Sequence, residues 1–74
     1  MLRGAMIGLG NVALHGHLPG WRGRHDAEIV AATDREGRQH LELARHLPAA
    51  RWCDSAADLL ALPGLDFVDI CTPP

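Results

Sequence analysis

The residues Gly8-Leu9-Gly10-Asn11-Val12-Ala13 follow an apolar run and precede a stretch of helical length. Gly-x-Gly-x-x-Ala at such a junction can cradle a pyrophosphate. Gly8 permits the tight turn, Gly10 lets the backbone approach phosphate oxygens, and small Ala13 lets helix and strand pack closely. The amides at the helix start, those of Asn11 and Val12, then face the anion at the positive end of the helix dipole. Alone the pattern is weak, because glycines also serve ordinary turns. It gains weight from Asp34, which ends a second apolar run roughly twenty residues on, where a carboxylate can accept hydrogen bonds from an adenosine ribose. Arg35 stands beside it, with a guanidinium able to reach a ribose phosphate. The bland alternative for Asp34 is a solvated acid that caps the next helix.

The other chemistry-bearing residues read as structural. His15 and His17 lie around a helix start, where this spacing points the rings apart, and no acid or cysteine is near in sequence. No metal site is expected from them. His25, His40 and His46 fall on polar stretches and read as surface residues. Trp21 and Trp52 have little positive charge beside them, so packing is favoured over base stacking. Cys53 and Cys71 are too far apart for a zinc knuckle or a redox pair and read as small buried hydrophobes.

The elements that must position the glycines and the acid alternate along the chain. Leu2 to Gly8 is a buried strand, and Val12 to about Trp21 is a short or kinked helix, since Pro19 cannot donate to the His15 carbonyl. Glu28 to Thr33 is apolar on both faces, as suits a covered strand. Glu36 to His46 forms a helix with Leu41, Ala44 and Leu47 at helical spacing, stopped by Pro48. Arg51 to Cys53 is a minimal strand. Asp54 or Ser55 caps a helix reaching Leu62, with Ser-Ala-Ala-Asp at capping-box spacing, and Pro63-Gly64 ends it. Asp66 to Thr72 is a fourth strand. Alternating strands and helices joined by short loops imply parallel pairing through right-handed crossovers. The expected architecture is α/β, a Rossmann-like parallel sheet of order 3-2-1-4.

Composition limits the alternatives. A chain of 74 residues with 47% hydrophobic content is one small globular unit. Its net charge of −2 carries no basic stripe, which argues against nucleic acid as a partner. No apolar run approaches a membrane span, and no cleavable signal pattern opens the chain, so a cytoplasmic location is expected.

The segments "GLGNVALHGHLPGW", "VAATDR", "ARHLP" and "LDFVDICTPP" together resemble the Gfo/Idh/MocA oxidoreductases. The likeness runs over residues 1–74, and the "TPP" after the fourth strand is its more specific element. It implies a dinucleotide cofactor, NAD with NADP as the second option. The cofactor would be held by Gly8, Gly10 and Asn11, by Asp34 at the ribose, and by Thr72 and Pro73 near the nicotinamide. His17 of "HLP" is implied to be positional, near phosphate. Ala13 departs mildly from the glycine of many members. The family's hydride transfer acts on a sugar, inositol or related polyol and uses a lysine from a later Glu-Lys-Pro-type motif. All seven basic residues here are arginine, so no residue of this chain is expected to be catalytic. The chain then reads as the front half of the dinucleotide-binding domain, with substrate bound only by the full-length parent. A non-catalytic dinucleotide-binding or sensing module and an inert remnant are the rival readings. A fourth strand without its outer neighbour would promote self-association through that edge.

Overall fold

The computed structural model describes residues 1–71. Strand β1 (Leu2–Ile7) leads through the glycine loop into a helical segment that opens as a π-helix (Val12–His17) and tightens into α1 (Leu18–Arg22). Strand β2 (Ala27–Thr33), helix α2 (Gln39–His46), strand β3 (Arg51–Trp52), helix α3 (Ala56–Leu60) and strand β4 (Phe67–Ile70) follow. The sheet order is β3-β2-β1-β4, every pair parallel, as the alternation of elements predicts.

The sheet is covered on both faces because adjacent residues of its central strands bury in opposite directions. Met6 and Ala32 pack on one side with Leu9, Leu18 and Leu43; Ala5 and Ala31 pack on the other with Cys53 and Leu59. Leu59 has 0% exposure and, among the described residues, is the one large side chain fully buried on its face. Its burial contributes about 1.5–3 kcal/mol.

Three local outcomes refine the expectations from sequence. The kink at Pro19 is a change of helix type. The Leu18 amide bonds to the Ala13 carbonyl, five residues back, and Pro19 then falls in the first turn of α1, where its missing N–H costs little. Helix α2 starts at Gln39 rather than Glu36 and buries Leu43, while Leu41 is 73% exposed. Leu41-Ala44-Leu47 and Gln39-Leu43-Leu47 both have helical spacing, and the tertiary contact of Leu43 with the core decides between them. Ser55 caps α3 by accepting the Asp58 amide at 3.0 Å, but the helix ends at Leu60, ahead of Leu62. Gly64, with φ +79°, makes the left-handed turn into β4.

Gly4 carries a constraint that strand patterning does not reveal. It pairs with Phe67 across β1 and β4, and a Cβ at Gly4 would fall inside the Phe67 ring. That ring stacks on Trp21, centroids 4.6 Å apart, tying β4 to α1. Gly4→Ala should therefore destabilise the chain by about 1–3 kcal/mol through overpacking. Chemical denaturation followed by tryptophan fluorescence measures this; an unchanged midpoint would contradict the contact.

Candidate dinucleotide-binding site

The C-terminal ends of β1, β2 and β4 meet beside the glycine loop. The order 3-2-1-4 puts the reversal of strand progression at β1, the place where open parallel sheets bind ligands. A cleft of about 460 Å³ lies there, lined by Gly8, Gly10, Asn11, Asp34, Arg35, Glu36, Arg38, Gln39 and Cys71.

Each wall has a local cause. Gly8 sits at φ +100°, a conformation that strains any side-chain-bearing residue, and its amide donates to the Thr33 carbonyl at 2.8 Å. Thr33 in turn donates its hydroxyl to the Cys53 carbonyl at 2.6 Å, so the loop is anchored through β2 to the end of β3. The first intrahelical bond runs from the Leu14 amide to the Gly10 carbonyl, which leaves the preceding amides without helical acceptors. Asn11 makes no capping bond with its side chain. A Cβ at Gly10 would meet nothing within 4 Å, so the space over this glycine is open to a ligand. These features fit a pyrophosphate.

Asp34 is held in place by the backbone. Its Oδ2 accepts the Leu9 amide at 2.6 Å and its Oδ1 accepts the Glu36 amide at 2.8 Å. The carboxylate thus joins the glycine loop to the turn before α2, and each oxygen retains a lone pair for a ribose hydroxyl. Asp34 does not cap α2, whose N-cap is Arg38; it makes the turn ahead of that helix and also lines the cleft. Arg35 is exposed in the same cleft, while Arg38 pairs with Glu36 at 2.7 Å.

The structure therefore brings together Gly8, Gly10, Asn11, Asp34 and Arg35. Val12 is 65% exposed at the helix start but does not line the cleft. Thr72 and Pro73 lie outside the described residues. Sequence reasoning missed Glu36, Arg38 and Gln39, which their position just after Asp34 could have signalled. It also missed Cys71, whose placement depends on β4 pairing with β1: the Cys71 amide donates to the Ile7 carbonyl at 2.8 Å.

Cys53 is buried, as expected of a small hydrophobe, but Cys71 is half-buried in a polar setting. Its Sγ lies 3.4 Å from Nδ1 of His17, and that nitrogen lies 2.8 Å from Oδ2 of Asp69. Burial, followed by the charge of Asp69, pushes the Cys71 thiol up to about 11. Burial also pushes the Asp69 carboxyl up, but hydrogen bonds from Trp21 and His17 outweigh it and hold the group below its ordinary range. His17 borders a separate hollow with Gly20, Trp21, Arg24 and Asp69 rather than lining the cleft itself. Trp21 packs on Phe67 and donates to Asp69 at 2.7 Å, and Trp52 stacks on His40, in line with structural roles for both. Among the described residues, no helix is long and apolar enough to cross a membrane.

The comparisons with known proteins agree with this geometry. Residues 2–74 match the Gfo/Idh/MocA oxidoreductase family in its NAD-binding Rossmann fold. A D-apiose dehydrogenase from Paraburkholderia graminis is 37% identical over 70 residues, which are 95% of this chain and 18% of that protein. A Gfo/Idh/MocA family oxidoreductase from Vibrio cholerae superposes with TM-score 0.76 at 33% identity, over 95% of this chain and 22% of that one. An oxidoreductase from Bacillus cereus superposes with TM-score 0.82 at 25% identity, over 99% of this chain and 21% of that one. The chain thus spans about a fifth of the length of these relatives. With the glycine loop, the strand order and the family match in agreement, this chain belongs to the Gfo/Idh/MocA oxidoreductases and carries their NAD-binding Rossmann fold.

Proposed function

We propose that the cleft binds a nicotinamide dinucleotide, NAD ahead of NADP, for an oxidoreductase that acts on a sugar or related polyol. The observation that carries the reading is the pairing of open space over Gly10 with a backbone-anchored Asp34 across one cleft. The amides around Gly10 and Asn11 would hold the pyrophosphate, and the Asp34 oxygens would accept from the adenosine ribose. When bound, the cofactor supplies hydride chemistry at its nicotinamide. This chain's part is to bind and orient: Thr33 fixes the loop, Asp34 fixes the ribose, and Asn11 is free to contact phosphate. The sugar substrate is supported by the D-apiose dehydrogenase among the relatives. Calorimetric titration of NAD into the purified chain tests the binding step. Saturable one-to-one binding is expected, and an absence of heat and of competition by ADP-ribose would overturn it.

A second proposal concerns β4, which pairs only with β1 among the described residues and exposes Ile70 at 65%. Its outer edge offers unpaired amides and carbonyls to another strand. Sedimentation of the chain at rising concentration should show growth in mass. A strictly monomeric chain across that range would count against self-association.

A further inference from the structure

We propose that His17, Asp69 and Cys71 form a binding site for a divalent metal ion of the zinc type, with solvent as the fourth ligand. Among the described residues this is the one cluster of such groups, one ligand atom from each lying within 4.8 Å of the others. Nδ1 of His17 lies 3.0 and 2.8 Å from the two oxygens of Asp69, and 3.4 Å from Sγ of Cys71. A single ring nitrogen carries either one N–H or one lone pair. An N–H that serves the carboxylate leaves the thiol only a long bond of 3.9 Å to the Asp69 carbonyl, and a lone pair that takes the S–H faces carboxylate oxygens with no hydrogen between. A shared cation satisfies all three groups together.

The donor set fits such an ion. Imidazole, thiolate and carboxylate are all zinc ligands, and ligand atoms roughly 2.0–2.3 Å from a tetrahedral centre stand roughly 3.3–3.7 Å apart. The Nδ1–Sγ separation of 3.4 Å already matches, and the Nδ1–Oδ2 separation needs to open by a few tenths of an ångström. One thiolate and one carboxylate balance the two charges of the ion. Trp21 donates Nε1 to Asp69 Oδ2 at 2.7 Å, an outer bond of the kind that orients a metal-binding carboxylate. Arg24, the nearby cation, is engaged by Asp26 through two bonds of 2.8 and 2.6 Å. Access from solvent is open: His17 is 39% exposed and borders a surface hollow with Gly20, Trp21 and Arg24. The π-helical turn that ends at His17 contributes the histidine, β4 contributes Asp69 and the residue just past the strand is Cys71, so the ion would clasp helix to sheet beside the cofactor cleft.

Cobalt(II) titration of the reduced, tag-free chain, without dinucleotide, tests the site independently of cofactor binding. The expected result is a thiolate-to-cobalt charge-transfer band with intense tetrahedral ligand-field bands, both displaced by zinc. Cys71→Ser should abolish the charge-transfer band and Cys53→Ser should retain it. His17→Gln and Asp69→Asn should each weaken cobalt binding by roughly tenfold or more. No charge-transfer band on the unmodified chain at excess cobalt would overturn the proposal. So would a band that survives Cys71→Ser.

Discussion

Gly10→Val should leave the fold intact and remove dinucleotide binding. The conformation of Gly10 is not left-handed and its added Cβ meets no atom within 4 Å, so the unliganded chain has room for the side chain. Stability should change by less than about 1 kcal/mol. The valine methyls would occupy the volume over the loop amides, where pyrophosphate oxygens must approach to hydrogen-bond distance. Affinity for NAD should fall at least a hundredfold, or ~2.8 kcal/mol. Calorimetry on a variant with an unchanged melting curve separates the two effects. Binding within about threefold of the unmodified chain, well under ~1 kcal/mol, would contradict a phosphate site at Gly10.

Asp34→Ser should narrow the preference between the two cofactors. In NADP the 2′ position carries a phosphate of roughly −1.5 to −2 charges. Placed ~4 Å from a carboxylate at an effective dielectric of ~20, like unit charges repel by about 4 kcal/mol before water and salt reduce it. The exposed Arg35 in the same cleft pulls the other way, since a guanidinium suits a phosphate. The direct clash should win in the unmodified chain, with NAD tighter by about tenfold to a hundredfold, or ~1.4–2.8 kcal/mol. Serine removes the charge and leaves Arg35 to act alone. The change also removes the tethers from Asp34 to the Leu9 and Glu36 amides, which weakens both cofactors. The ratio of the two dissociation constants is therefore the quantity to measure. A ratio unmoved by the substitution would deny Asp34 a selective role at the ribose.

What the sequence made legible has a physical pattern. The glycine loop and Asp34 were visible because their backbone demands are local: a positive φ at Gly8, small side chains at Gly10 and Ala13, and an acid where β2 ends. The strand order followed from alternation alone, since right-handed crossovers leave few topologies. Residues joined only by the fold stayed hidden. Gly4 is constrained by Phe67, a partner 63 positions away whose ring no pattern assigns to that glycine. His17 looked isolated from acids and thiols, and β4 with the residue after it brings one of each to its ring from 52 and 54 positions along the chain. The face of α2 stayed ambiguous because its few apolar residues satisfy two helical stripes, and only packing under the sheet selects Leu43.

The central claim is that the ends of β1 and β2 form a dinucleotide cleft, and amide mapping tests it most directly. A ¹⁵N-labelled chain titrated with NAD should show saturable shifts at Gly8 to Val12, at Asp34 and at Arg35. The groove between Trp21, Ile29 and Pro48, at the opposite end of β2, should stay unmoved. Shifts confined to that groove, or a silent glycine loop at saturating NAD, would contradict the account.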